Sequence, residues 1–89
     1  MIKIKTSSGF ECEINSNKKN DWRLLKAISK CEHSETALEG GIELEAALLG
    51  PDGSDALEKH LEEQDGYVDI SKLFDELREI LDQIDDSKN

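Results

Sequence analysis

The sequence predicts a mainly α fold of the α+β class, in which an N-terminal β-hairpin packs on a small bundle of about four helices. Apolar and polar residues alternate over residues 1–15, which is typical of a hairpin. Cap and turn residues divide positions 20–84 into helical segments, and the last of these carries a long apolar stripe. The 89 residues are expected to form a single domain over 1–89, with a frayed polar tail at 85–89.

The terminal helix is the most regular element of the sequence. Its apolar residues recur with the period of an α-helix and are Ile70, Leu73, Phe74, Leu77, Ile80, Leu81 and Ile84. Charged residues take the opposite side, so this helix must bury one face. We expect Asp69 to cap its first turn and Val68 to pack on Leu73 as a hydrophobic staple.

The hairpin is predicted from two alternating runs. Its inward residues are Ile2, Ile4, Thr6, Phe10, Cys12 and Ile14, with lysines and glutamates between them. Ser7, Ser8 and Gly9 supply the turn, where Gly9 can adopt a positive φ. Opposed lysines and glutamates should pair across the outer face, while the inner face packs on a helix.

A first helix is predicted after the polar connector at 15–19, capped by Asn20 or Asp21. Its inward stripe is expected to contain Trp22, Leu25, Ile28 and Cys31. Trp22 is the only tryptophan, and we interpret it as an anchor of the small core rather than as a ligand platform.

A second helix is predicted to begin at Ser34, with apolar positions Ala37, Leu38, Ile42, Leu44, Leu48 and Leu49. Gly40 and Gly41 fall inside it and predict either a kink or break, or a close helix crossing. Gly50 and Pro51 should end this helix, because proline cannot continue its hydrogen-bond ladder.

A third, shorter helix is predicted next, with inward residues Ala56, Leu57, His60 and Leu61. The turn after it, at Asp65 and Gly66, resembles the middle of a calcium-binding EF-hand loop. With Gly66 as the sixth loop position, Leu61 and Lys72 would fall on the first and last ligand positions, and neither side chain can bind calcium. The calcium site is therefore rejected, and the segment is interpreted as a turn between helices.

Charge is distributed unevenly along the chain. The net charge is −10, with +3 in residues 1–33 and −13 in residues 34–89. This acidic bias argues against direct nucleic-acid binding and is compatible with a solvated surface, a basic protein partner or a nucleic-acid mimic. No apolar run approaches the ~18 residues of a membrane span, and the N-terminus lacks a signal-peptide core. We therefore expect the protein to stay in the cytoplasm.

Candidate catalytic and metal-binding residues are few. Cys12 and Cys31 are predicted to be reduced thiols, with a disulfide as the alternative. The spacing of the cysteines, His33 and His60 does not match that of a zinc site. The two histidines lie in different segments, and no catalytic or nucleotide-binding motif is present. No enzyme activity, metal or cofactor is expected.

The order of segments resembles that of the small tail assembly chaperones encoded by long-tailed phages and prophages of Gram-positive bacteria. The similarity is carried by the strings GFECEI, DWRLLKAI, ALLGPDG and ALEKHLEEQDGYVDISKLFDELREIL, and it spans almost the whole chain. The Gly40–Gly41 pair departs from the family, where a more continuous helix is expected.

The resemblance implies a non-enzymatic protein that acts in the host cytoplasm and is absent from the finished virion. Such chaperones bind the tape measure protein and cover its apolar helices while tail-tube subunits polymerise around it. The acidic composition also leaves two alternatives open: an inhibitor that mimics nucleic acid, and a small regulatory partner protein. A homo-oligomer, in which the positive third of one copy meets the negative remainder of the next, is a further hypothesis.

A partner-binding site is predicted at the far end of the terminal helix. The stripe is long and the rest of the chain is short, so we expect its cover to run out at Ile80, Leu81 and Ile84. These three residues are the sequence-based candidates for contact with the tape measure protein or a second copy.

Overall fold

The computed structural model describes residues 1–86 and confirms the mainly α fold with an N-terminal hairpin. The elements in chain order are β1 (Ile2–Lys5), β2 (Glu11–Ile14), a 3-10 helix (Ser16–Asn20), α1 (Trp22–Cys31), α2 (Ala37–Asp65) and α3 (Ile70–Asp86). Of the tail predicted at 85–89, residues 87–89 lie outside the described part, and the first two residues continue α3. None of the helices described in residues 1–86 is long and apolar enough to cross a membrane.

The lysines and glutamates of the hairpin are opposed as predicted, with Lys5 opposite Glu11, and Ile4 lies opposite Cys12. The Lys5 Nζ and a Glu11 carboxylate oxygen are 3.9 Å apart on its exposed face. Gly9 adopts a φ of 95° in the turn, a conformation that glycine reaches without strain. The inner face contributes three buried residues to the core: Ile4, Phe10 and Ile14.

Polar contacts bind the hairpin turn to the helices. Thr6 donates a buried hydrogen bond of 2.7 Å to Glu76, and the Ser7 backbone N–H donates one of 2.7 Å to Glu79. Gln83 donates to the Lys5 carbonyl at 2.9 Å. These contacts hold the hairpin against α3 between Glu76 and Gln83, so this part of the helix is covered.

α1 is capped by Asp21, whose carboxylate accepts a hydrogen bond from the Arg23 backbone N–H at 2.9 Å. Its buried residues are Leu24 and Ala27, whereas Trp22 is 67% exposed and Leu25 is 56% exposed. The prediction of Trp22 and Leu25 as core residues is therefore wrong. The buried and half-buried residues of α1 are Leu24, Ala27, Ile28 and Cys31, which follow the spacing i, i+3, i+4, i+7 of a single helix face.

α2 begins at Ala37 rather than at Ser34, and it continues through both glycines of the Gly40–Gly41 pair. A Cβ on Gly40 would lie 2.7 Å from the Cys31 backbone nitrogen, closer than real Cβ atoms approach. A Cβ on Gly41 would lie 2.5 Å from the Phe74 ring. Of the two alternatives, the structure therefore supports a close crossing with α1 and with α3, and not a break.

The change of direction in α2 occurs at Gly50, which has φ 72° and ψ 175°, and Pro51 then opens the second half. Leu57 and Leu61 of that half are buried as predicted, His60 is half-buried, and Ala56 is exposed. Gly66 ends α2 with a left-handed φ of 84°, and its N–H donates to the Glu62 carbonyl.

α3 is capped by Asp69, whose carboxylate accepts from the Lys72 backbone N–H at 3.0 Å. Ile80 and Ile84 are completely buried and Leu81 is half-buried. The expectation that cover runs out at these three residues is wrong, because the hairpin packs on this end of the helix. The exposed end of the stripe is the other one, where Ile70 is 60% exposed.

Candidate partner-binding surface

An apolar surface faces solvent on α1. Trp22, Leu25 and Ser29 follow the spacing i, i+3, i+7, which places them on one side of the helix, opposite Leu24 and Ala27. A large exposed aromatic residue is uncommon on a small protein, and tryptophan is among the residues that dominate binding energies at interfaces. This side of α1 is therefore the candidate site.

A groove of about 600 Å³ runs along this side of α1 and is called the α1 groove below. It is lined by Trp22, Leu25, Lys26, Ile28, Ser29, Lys30 and Glu32. A second groove of about 290 Å³ lies between α1 and α2 and is lined by Arg23, Lys26, Glu43, Ala46 and Ala47. Lys26 borders both grooves, so the apolar surface continues around this lysine toward α2.

α1 itself is basic although the chain as a whole is acidic. α1 contains Arg23, Lys26 and Lys30 and no acidic residue. Lys30 donates to Glu43 at 2.8 Å and lies 3.5 Å from Glu39. The hydrogen bond to Glu43 is the main reason why the pKa of Lys30 is raised. Lys30 is thus neutralised within the chain.

Arg23 and Lys26 have no such partner in the described part of the chain. Within residues 1–86, neither side chain has a carboxylate within 4.0 Å. The nearest acidic residue in sequence, Asp21, caps α1 and lies 3.8 Å from Lys18. A cation such as Arg23 in the first turn also opposes the helix dipole, so it does not serve the stability of α1. These two charges are available to a partner.

The residues predicted from sequence as the partner site lie elsewhere. Ile80, Leu81 and Ile84 line the core on α3 and do not form part of the α1 groove. Sequence reasoning missed Trp22 and Leu25 because it assigned the tryptophan to the core by its size. The spacing of Leu24, Ala27, Ile28 and Cys31 fits one side of a helix better than the spacing of the predicted stripe does. This pattern could have shown that Trp22 and Leu25 lie on the opposite, exposed side.

Two apolar residues of α2 are also exposed. Leu38 and Ile42 are one helical turn apart and both face solvent. They line neither of the grooves beside α1. They therefore provide apolar positions of similar exposure for comparison with Trp22 and Leu25.

Ser8 and His60 form a contact that could suggest a nucleophile and its base, with Ser8 Oγ 3.1 Å from His60 Nε2. The same Nε2 lies 3.2 Å from the Ser8 carbonyl oxygen, which can only accept a hydrogen bond. The Gln64 side-chain nitrogen donates to the same carbonyl oxygen and lies 3.3 Å from Nε2, so Nε2 is shared among polar groups of the turn and of α2. The His60 ring also packs at 5.7 Å from the Phe10 ring, so this contact ties the turn to α2.

A buried carboxyl group lies beside the bend of α2. Glu45 is buried, and its Oε2 atom has no hydrogen-bond partner among the described residues. Burial, together with hydrogen bonding and charge repulsion from Glu58 and repulsion from Asp55, raises the pKa of Glu45 from 4.5 to about 8. These neighbours favour the protonated form of Glu45, and its hydrogen bond with Glu58 joins the two halves of α2 across Gly50.

Cys12 and Cys31 are half-buried and unpaired, as predicted. Burial raises the pKa of both thiols, which keeps them protonated and weakly reactive. Within residues 1–86, no group of three histidine, cysteine, aspartate or glutamate side chains is placed to hold a metal ion.

No protein-family model matches the chain, and no curated protein or solved structure matches it either.

Proposed function

We propose that this chain is a non-enzymatic tail assembly chaperone, of the kind made by long-tailed phages and prophages of Gram-positive bacteria. In this role it binds the tape measure protein in the host cytoplasm during tail assembly. The observation that carries the proposal is the α1 groove, in which Trp22 and Leu25 are held exposed on a folded helix. The order of sequence segments, which resembles that of the family, supports the same role.

The geometry suits the recognition of a helix. A coiled-coil-rich client exposes apolar residues at helical spacing, and such a helix buries them in an apolar groove between or beside helices. Trp22 and Leu25 offer large contact area with few rotatable bonds, which keeps the entropy cost of binding low. Tail-tube subunits then take over these apolar contacts with the client, and the chaperone dissociates.

Charge keeps such a protein in solution while an apolar groove is open. The net charge of −10 produces repulsion between copies, which opposes aggregation through exposed apolar residues.

Several carboxylates form hydrogen bonds within this chain, as Glu76 does with Thr6 and Glu79 does with Ser7. Carboxylates that hold the fold together are not free to imitate a row of phosphates, so the chaperone is favoured over the nucleic-acid mimic.

Co-expression with the tape measure protein tests the proposal. The chain is expected to increase the soluble fraction of the tape measure protein severalfold. The double variant Trp22→Ser, Leu25→Ser should remove most of this gain, because two anchor side chains are lost. We expect its apparent affinity for the tape measure protein to be about tenfold weaker. Its fold should persist, since both residues are largely exposed.

The matched control is the double variant Leu38→Ser, Ile42→Ser, which removes two apolar residues of similar exposure from α2. It should retain the full gain in solubility. No gain with the unsubstituted chain, together with binding to a host DNA-binding protein, would instead support an inhibitor that mimics nucleic acid.

A further inference from the structure

We infer that the α1 groove binds an amphipathic helix whose apolar stripe is flanked by acidic residues. This inference rests on the chaperone function proposed above and specifies the chemistry of the client segment. It is the reverse of what the net charge suggests, because a chain of charge −10 would be expected to select a basic partner.

The local charges around the groove carry the inference. The groove wall includes Lys26, and Arg23 lies on the same helix beside the adjoining groove, whose lining carboxylate, Glu43, is bonded to Lys30. Within the described residues neither has a carboxylate within 4.0 Å, whereas Lys30 is held by Glu39 and Glu43. A helix seated on Trp22 would remove water from these two cations, which then need negative partners.

Screening by salt makes the charges near the groove more important than the net charge of the chain for the choice of client helix. At physiological salt the Debye length is about 8 Å, so the carboxylates of α2 and α3 that lie beyond the groove are largely screened from a bound helix. Contacts within the groove are screened much less. A lysine-flanked helix would place like charges against Arg23 and Lys26, and this repulsion would act at the shortest distances in the complex.

The charges also give the groove a direction. The cations Arg23 and Lys26 lie in the first half of α1, whereas Glu32 lines the other end of the groove. The acidic flank of the client should therefore lie near the N-terminal end of α1. The partially positive N-terminus of α1 adds to the same preference.

Two synthetic peptides of about 20 residues test the inference, a length sufficient for stable helices when bound. Both carry the same leucine stripe at helical spacing and neither contains tryptophan. One has glutamates on both flanks of the stripe, and the other has lysines. Trp22 reports binding directly, because it is the only tryptophan and its emission shifts to shorter wavelength when a partner covers it.

The glutamate peptide should bind about tenfold more tightly than the lysine peptide at low ionic strength. This preference should shrink at about 0.5 M salt, where the Debye length is below about 5 Å. The charge-reversal variant Arg23→Glu, Lys26→Glu should invert the preference. The control Lys3→Glu, Lys59→Glu changes the net charge equally at exposed lysines away from both α1 grooves and should leave the preference intact.

A preference of the unsubstituted chain for the lysine peptide would overturn this inference and leave the chaperone function standing, provided that co-expression still solubilises the tape measure protein. Equal effects of both charge reversals would also overturn it, since net charge alone would then explain the selectivity. Light scattering of the chain without peptide tests whether the groove binds a second copy of the chain instead. A dimer that dissociates on reversal of Arg23 and Lys26 would assign the groove to a second copy and overturn the inference.

Discussion

Replacing Ile80 with alanine is expected to lower the free energy of unfolding by about 3 kcal/mol, because the side chain is completely buried and its loss leaves a cavity. For a chain of this size the total stability is on the order of 4–13 kcal/mol, so this single change consumes a large part of it. Urea titration followed by circular dichroism measures the effect as a lower midpoint with an unchanged slope.

The matched control is Ile70→Ala, which makes the same substitution in the same helix at a residue that is 60% exposed. Its effect should stay within about 0.5 kcal/mol, because little apolar surface is lost there. Equal destabilisation by the two variants would show that Ile80 is not in the core. In that case the sequence-based site at Ile80, Leu81 and Ile84 would regain support as a contact for a partner.

The variant Glu45→Gln is expected to make the chain more stable above pH 8, by on the order of a few kcal/mol. The pKa of Glu45 is about 8 in the folded chain and near 4.5 when unfolded, so the folded chain binds the extra proton. The stability associated with this proton is complete below pH 4.5 and is lost as the pH rises through 8. Glutamine stays neutral at every pH, so the variant avoids the buried charge.

Denaturant midpoints between pH 5 and pH 9 measure this difference. The stability of the unsubstituted chain relative to Glu45→Gln should fall across this range. The control Glu63→Gln alters an exposed carboxylate of α2 and should keep the pH profile of the unsubstituted chain. In Glu58→Gln the decline should become smaller but persist, because burial of Glu45 is the largest single cause of its raised pKa and remains in this variant. Parallel profiles for the chain and Glu45→Gln would contradict this description of the buried carboxyl group.

The elements of the fold were predictable because their signals are local. Asp21 and Asp69 cap the helices that follow them, and Gly9 and Gly66 adopt positive φ in the turns where glycine was expected. Each of these depends on a few neighbouring residues, so no knowledge of the tertiary structure was needed. The opposition of lysines and glutamates across the hairpin also follows from the alternation of its residues and from the position of the turn.

The interior of the fold was less predictable where one helix carries two apolar faces. In α1 both the Trp22–Leu25 side and the Leu24–Ala27 side offer apolar residues, and the size of tryptophan favoured the wrong one. On α3 the apolar stripe runs without a break from Ile70 to Ile84, so its sequence does not say which end is covered. The position of the hairpin decides this, through contacts such as Gln83 to Lys5 that join residues far apart in the chain.

The candidate site was missed for a related physical reason. A partner site on a small domain is an apolar surface that the domain leaves uncovered, and it can be identified only after the core is assigned. Once Leu24 and Ala27 are placed in the core, the exposure of Trp22 follows from helix geometry. The close approach of Gly40 to Cys31 then packs α1 against α2 and so positions the α1 groove.

Photo-crosslinking from the α1 groove tests the central claim most directly. A benzophenone amino acid is introduced at Trp22 in one variant and at Tyr67 in another, and each is co-expressed with the tape measure protein and irradiated. Both positions hold exposed aromatic residues, but only Trp22 lines the groove. Crosslinks to apolar helical segments of the tape measure protein are predicted from position 22 and not from position 67. Crosslinks from position 67 with none from position 22 would contradict the assignment of the α1 groove as the client-binding site.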